Sequence, residues 1–290
     1  MRFVPCAAPR RACYSVRVSF VPCVTTPAAA GRLYVVTGQS LCVVADEPAD
    51  PAPAPRVPEG AAAGDDWLFL GDRDGAPCFA RVLADGEPPP AGTAAVPLRQ
   101  LFGALDDDDF GIAGRALGLT AWDRDHRWCG RCGGPTARSA AERVRLCARC
   151  GHGAYPRLSP AVIALVERDG RALLARNART RMPFFSTLAG FVEVGETLEE
   201  AVAREIHEEA GITIHDVRYF GSQPWPLTGS LMVGFTARWA GGEIVADDGE
   251  LAEAGWFPPG ALPRLPGRLS IARALIDDFV RRHGGTPDGA

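Results

Sequence analysis

The chain has 290 residues, 47% of them hydrophobic, enough for two domains or one large one around a packed core. A formal charge of −4 excludes a strongly basic surface of the kind that grips nucleic acid without regard to sequence. No run of about eighteen uncharged apolar residues occurs, so no spanning helix is expected and no membrane partner.

In chain order, the leader up to Asp46 carries arginines but no acid, a pattern shared with transit peptides. Its stretch SVRVSFV (Ser15 to Val21) alternates with strand period instead, and the cytoplasm is the expected location. All basic side chains are arginine and none is lysine, which together with the abundant Ala, Gly and Pro reads as a genomic compositional bias. A Pro/Ala-rich loop from Glu47 to Asp65 and the break GEPPPAG at Gly86 to Gly92 separate short apolar runs, RLYVV, DWLFLGD and CFARVL. These suggest a small mixed or β-rich N-terminal domain over 1–125 whose role the pattern does not disclose. Five of the nine cysteines, Cys6, Cys13, Cys23, Cys42 and Cys78, have no motif spacing and read as buried or idle thiols.

The other four form a module over 126–155. Cys129-Gly-Arg-Cys132 and Cys147-Ala-Arg-Cys150 supply two knuckles of soft thiolates, spaced to close a tetrahedron around one Zn²⁺. Four protein ligands leave no open position, so this zinc is structural. Arg131, Arg145 and Arg149 lie beside the knuckles, and a domain staple with solvated arginines explains them better than a nucleic-acid contact.

A third region, 156–285, is more regular. AVIALVERDGRALLAR holds two apolar runs around Asp169-Gly170 and predicts a hairpin; LMVGFTARW and AGWF predict strands, and Ser270 to His283 an amphipathic terminal helix. Between them, Gly190 to Ile212 reads GFVEVGETLEEAVAREIHEEAGI, with seven carboxylates. Thr197 and Glu200 form a capping box and Gly211 a stop, predicting a helix over about Leu198 to Ala210. Turning by about 100° per residue, that helix puts Glu205 and Glu209 in the middle of its apolar face, with Leu198, Ala201, Val202 and Ile206. Carboxylates aimed inward require cations, and Arg204, paired with Glu208 at i, i+4, does not neutralise them all. Mg²⁺ or Mn²⁺ does, and such ions complete their shells with water and substrate phosphates.

The stretch resembles the Nudix box, G-x5-E-x7-R-E-U-x-E-E-x-G-U with U aliphatic, at Gly190, Glu196, Arg204, Glu205, Ile206, Glu208, Glu209, Gly211 and Ile212. Ser222 to Ser230, SQPWPLTGS, resembles the SQPWPFPxS signature of the NADH pyrophosphatase subfamily, with Leu227 and Thr228 in place of Phe and Pro. That subfamily also carries a four-cysteine ribbon ahead of its Nudix domain. The resemblance implies an α+β fold, a Nudix α/β/α sandwich preceded by a zinc ribbon and a small mixed N-terminal domain. It implies hydrolysis of the pyrophosphate of NADH or NAD⁺ to nicotinamide mononucleotide and AMP, with removal of NAD caps from RNA as a second activity.

It further implies two or three catalytic Mg²⁺ or Mn²⁺ ions on Glu205, Glu209, Glu250 and the carbonyl of Ala189, with Glu208 assisting and Glu209 or Glu208 as base. Arg204 would orient the glutamates. Phe191 and Tyr155 are similar to an aromatic pair that sandwiches adenine, the tyrosine coming from the partner of a homodimer; core packing would explain Phe191 as well. Glu142, Gln223, Pro224, Trp225, Ser230 and Ala272 match other substrate-contacting positions, Trp225 doubling as a rigid wall. Two other readings stand beside this one: a Nudix hydrolase preferring ADP-ribose or another dinucleotide, and a zinc-ribbon regulator that senses a nucleotide without cleaving it. Loss of catalytic glutamates would mark the regulator, and Glu205, Glu208, Glu209 and Glu250 are all present.

Overall fold

The computed structural model describes residues 20–22, 30–44, 56–61, 66–178, 183–245 and 251–287. Most of the acid-free leader, with Cys6, Cys13 and Cys23, most of the Pro/Ala-rich loop and Glu250 lie outside the described residues. The described chain falls into two compact units, 20–157 with the turn 226–229, and 158–225 with 230–287.

The first unit opens with β1 (Phe20–Pro22), β2 (Ala30–Thr37), β3 (Ser40–Val44), β4 (Glu59–Ala61), β5 (Leu68–Arg73), β6 (Ala76–Val82) and β7 (Thr93–Pro97), followed by a 3-10 turn (Leu98–Leu101) and helix α1 (Asp107–Asp125). The strands form one sheet in the order β1-β5-β6-β2-β3-β7, with β4 on β2. Only β2 and β6 run parallel among these pairs. Tyr34, Val36, Leu41, Leu70, Ile112, Ala116 and Trp122 share one apolar cluster that packs α1 onto the sheet. Asp106 caps α1 by accepting from the Asp108 and Asp109 amides, where a carboxylate also suits the helix dipole. The apolar runs read from sequence are thus strands, and the long helix behind them is an addition to that reading.

The cysteine module adds β8 (Thr136–Arg138), β9 (Arg145–Cys147) and β10 (Gly153–Ala154), an antiparallel sheet in the order β10-β9-β8.

The second unit comprises β11 (Ser159–Arg168), β12 (Arg171–Asn177), β13 (Leu188–Phe191), α2 (Leu198–Ala210), β14 (Thr213–Trp225), β15 (Ser230–Gly241), β16 (Leu251–Phe257) and α3 (Ile271–Arg282). Asp169 and Gly170 both adopt positive φ, +48° and +72°, as a two-residue hairpin turn requires. The sheet order is β14-β15-β11-β12-β16, with β13 also on β11 and the β11–β15 pair parallel. Residues Ala161 to Val166 of β11 are buried throughout, because both faces of this central strand are covered. Val162, Ala164, Leu188, Val233 and Phe235 pack with Ala201, Val202 and Ile206 of α2; Ile163, Leu165 and Leu174 pack with Ile271, Leu275 and Phe279 of α3. The result is a three-layer α/β/α sandwich with one helix on each face.

Candidate active site

The ribbon cysteines converge. Their Sγ atoms all lie within 4.8 Å of one another, with Cys129 and Cys150 3.7 Å apart and Cys132 and Cys147 3.6 Å apart. Four thiolates about 2.3 Å from one Zn²⁺ would be separated by about 3.8 Å, so the donor set fits the ion. Gly133 and Gly151, which follow the second cysteine of each knuckle, take φ of +71°, and the Arg131 amide donates to Cys129 Sγ at 3.4 Å.

In the second unit the capping box is complete. The Glu200 amide donates to Thr197 Oγ1 at 3.2 Å and the Thr197 amide to Glu200 Oε2 at 2.8 Å, while Gly211 ends α2 with φ +72°. β13 enters the site with Leu188 and Gly190 on the α2 side. A Cβ placed on Gly190 would lie 1.9 Å from Glu205 Cδ, so only glycine lets this backbone pass the carboxylate. The Glu205 side chain is 14% exposed and that of Glu208 58%, matching the inward and flanking directions expected from the helical projection. Glu209 borders a cleft with Asn177, Ser186, Ala189 and Leu251. Glu250 itself is not described, but its neighbour Leu251 lines that cleft. Asn177 and Ser186 belong to no motif, and only their place on the strand edge beside α2 brings them here.

Arg204 holds the loop and the acids in one fan. Its Nε donates to Glu196 Oε1 (2.6 Å), Nη1 to Glu205 Oε1 (2.8 Å) and Glu208 Oε2 (2.9 Å), and Nη2 to Glu196 Oε2 and the Phe191 carbonyl (both 2.9 Å). The guanidinium, helped by the Glu193 amide, pulls the Glu196 carboxyl down to about 2. One cation is therefore divided among three carboxylates, and the hard oxygens of Glu205 and Glu209 remain suited to Mg²⁺ or Mn²⁺.

The proposed substrate positions separate by unit. In the first, the exposed Tyr155 donates its hydroxyl to Glu142 Oε2 at 3.1 Å, and this hydrogen bond raises the phenol's pKa. In the second, Phe191 is 55% exposed on the sheet face opposite α2, available for stacking. Gln223 is buried with both ends of its amide committed: Nε2 donates to the Leu269 carbonyl (2.7 Å) and Oε1 accepts from the Ile271 amide (2.8 Å). Trp225 pairs with Ser230, which is buried, and Pro224 with Leu231, at the closed end of the β14–β15 hairpin. The Ala272 side chain is packed in the α3 cluster, so main-chain atoms are what that position can offer a ligand.

Three family models tile the chain: a NADH pyrophosphatase-like rudimentary NUDIX domain over 30–122, a NADH pyrophosphatase zinc ribbon domain over 124–155 and a NUDIX domain over 156–279. The chain is 43% identical over 266 residues to the NAD-capped RNA hydrolase NudC of Deinococcus radiodurans, covering 90% of this chain and 92% of that one. The chain belongs to the NudC family of Nudix hydrolases. A second NudC relative, from Stutzerimonas stutzeri, is 46% identical over 219 residues, 76% of this chain and 79% of its own. Among solved structures, a NUDIX hydrolase from Nitrosomonas europaea is similar at 24% identity and a TM-score of 0.48, over 56% of this chain and 94% of that chain. NudC membership also gives a meaning to the N-terminal sheet and α1 that composition and periodicity left blank, since β2 to β7 and all but the last residues of α1 fall within the rudimentary NUDIX match.

Proposed function

We propose that this protein hydrolyses the pyrophosphate of NADH and NAD⁺, releasing reduced or oxidised nicotinamide mononucleotide and AMP, and cleaves the same bond in an NAD cap, which frees nicotinamide mononucleotide and leaves a 5′-monophosphate on the RNA. The observation that carries the reading is the pair of inward carboxylates on α2, Glu205 pinned against Gly190 and Glu209 on the cleft beside Ala189. When bound there, Mg²⁺ or Mn²⁺ supplies charge screening for the diphosphate and lowers the pKa of a water. Glu205, Glu209, Glu250 and the Ala189 carbonyl hold the ions in this reading. Arg204 fixes the directions of Glu205 and Glu208, and Glu209 or Glu208 accepts the proton of the attacking water. Phe191 offers its exposed ring to a base, a contact of about 1–3 kcal/mol.

The arrangement 1–125, 126–155 and 156–285 is our division into N-terminal, ribbon and catalytic domains. A homodimer agrees with the exposure of Trp128, Leu146 and Tyr155 on the ribbon, apolar surface that a second copy would cover. Cytoplasmic residence agrees with a four-thiolate site that needs reducing conditions. Among the described residues, no helix is long and apolar enough to cross a membrane.

Mass spectrometry of the products formed from NADH, NAD⁺, ADP-ribose and an NAD-capped RNA with Mn²⁺ tests the proposal. Reduced nicotinamide mononucleotide and AMP from NADH, and nicotinamide mononucleotide and AMP from NAD⁺, support it. Turnover confined to ADP-ribose, or nucleotide binding without any phosphate-ester product, refutes it.

A further inference from the structure

Helix α1 carries three glycines, at 111, 114 and 118, each a cost to the helix. A Cβ at Gly111 or Gly118 would meet nothing within 4 Å, but one at Gly114 would lie 2.8 Å from Pro226 Cγ and 3.3 Å from Pro226 Cβ. The proline ring thus occupies the place where a side chain would stand. Pro226 opens the turn 226–229, which belongs to the first unit, whereas β14, ending at Trp225, and β15, starting at Ser230, belong to the second. A second contact holds the same turn: Gln39 Nε2 donates to the Leu227 carbonyl at 2.9 Å, across 188 positions. Gln39 is itself fixed in the turn between β2 and β3, where Gly38 takes φ +54° and the Gln39 carbonyl accepts from the Leu98 amide at 3.0 Å.

We propose that Gln39 and Gly114 are positioning residues for the substrate: they seat the turn 226–229, and the seated turn sets the directions of Trp225 and Ser230 at its two ends. The inference rests on the dinucleotide reading above, with Trp225 and Ser230 as substrate-contacting positions, and gives the N-terminal sheet and α1 a part in that site. Trp225 and Ser230 pair across the hairpin and are bonded directly to the turn, so a shift of Pro226 reaches them through the chain itself. The turn has little stiffness of its own. Leu227 and Thr228 stand where the subfamily signature has Phe and Pro, so no second proline ring fixes φ there, and Gly229 follows with φ +71°. Gln39 and Gly114 supply that rigidity from outside: a hydrogen bond anchors the Leu227 carbonyl, and the bare helix face at Gly114 lets the Pro226 ring close onto it.

The test uses the full-length, zinc-loaded protein with Mn²⁺ and NAD⁺. Gln39→Ala removes the donor, and Gly114→Ala puts a Cβ where the proline ring lies, so each moves the turn from a different side. Both are expected to raise KM for NAD⁺ by about 3- to 10-fold, the range of one ordinary hydrogen bond, with kcat within about twofold. Gln39→Lys returns an N–H donor of similar reach and should recover most of the loss. Pro226→Ala, which removes the ring that the new Cβ strikes, should do the same when added to Gly114→Ala. A contact that only supports folding would lower the melting temperature and leave KM where it was. Gln39 is exposed, so Gln39→Ala reads the seat if Gly114→Ala does not fold. KM values within about twofold of the parent in the folded variants, or raised values that neither second substitution recovers, overturn the assignment. A wild-type protein that turns over no dinucleotide overturns the proposed function instead, so the two failures are distinct.

Discussion

Gly190 and Glu205 occupy adjoining space: the glycine's missing Cβ is where the carboxylate sits, 1.9 Å from Glu205 Cδ. Gly190→Ala is expected to push the carboxylate aside, since the end of a side chain gives way more easily than a strand hydrogen-bonded to β11. Displacing a catalytic group by about 1 Å costs roughly 100-fold. The variant should lose about that much kcat/KM with Mn²⁺ while its melting curve moves little, and full activity would separate Glu205 from the catalytic centre.

Glu209→Gln keeps the size of the side chain on the cleft and removes its charge. Hydrolysis of NADH should fall by at least about 100-fold, with the zinc content and circular dichroism of the parent. Near-normal turnover would refute the assignment of Glu209 to the metal site.

The Arg204–Glu196 clasp sets a pH window. Glu196 has its pKa lowered from 4.5 to about 2 by the Arg204 hydrogen bonds and the Glu193 amide. Because the folded pKa is depressed, the stabilisation is complete above about 4.5 and is lost as pH falls through about 2. Side-chain carboxyl NMR should show Glu196 titrating near 2 in the parent and back toward 4.5 in Arg204→Leu. A midpoint that does not move would mean the guanidinium is not what holds it.

Cys147→Ser leaves three thiolates in a site that needs four. The variant should purify without zinc and melt at a lower temperature, and a strong chelator should reproduce both changes in the parent. Retained stoichiometric metal with an unchanged melting curve would contradict a structural zinc at this site.

Much of the site is legible in the sequence because its signals are local. Thr197, Glu200 and Gly211 delimit α2 within one segment, and a helical projection suffices to turn Glu205 inward. The approach of β13 that makes Gly190 obligatory is not local, nor is the Arg204 bond to the Phe191 carbonyl, and both needed the fold. Gln223 shows how a signature underdetermines a role. Its motif suggests a ligand contact, yet its partners are main-chain groups at Leu269 and Ile271, 46 and 48 positions away. Helix α1 is not legible in the pattern because it presents no single apolar stripe: Ile112, Ala113, Gly114, Ala116, Leu117, Leu119 and Thr120 are all buried, around most of its circumference. Glycines at 111, 114 and 118 weaken its intrinsic preference further.

Asp123, near the end of α1, is almost fully buried and receives hydrogen bonds from Arg138 and Arg145, while Arg143 donates to the Phe69 and Leu70 carbonyls of β5. All three arginines belong to the cysteine module. Trimming the protein between 125 and 126 would therefore strand a desolvated anion on one fragment and several guanidinium groups on the other. The ribbon is no interchangeable cassette, and an excised N-terminal fragment that is to stay soluble will need its strands and knuckles carried along to residue 155.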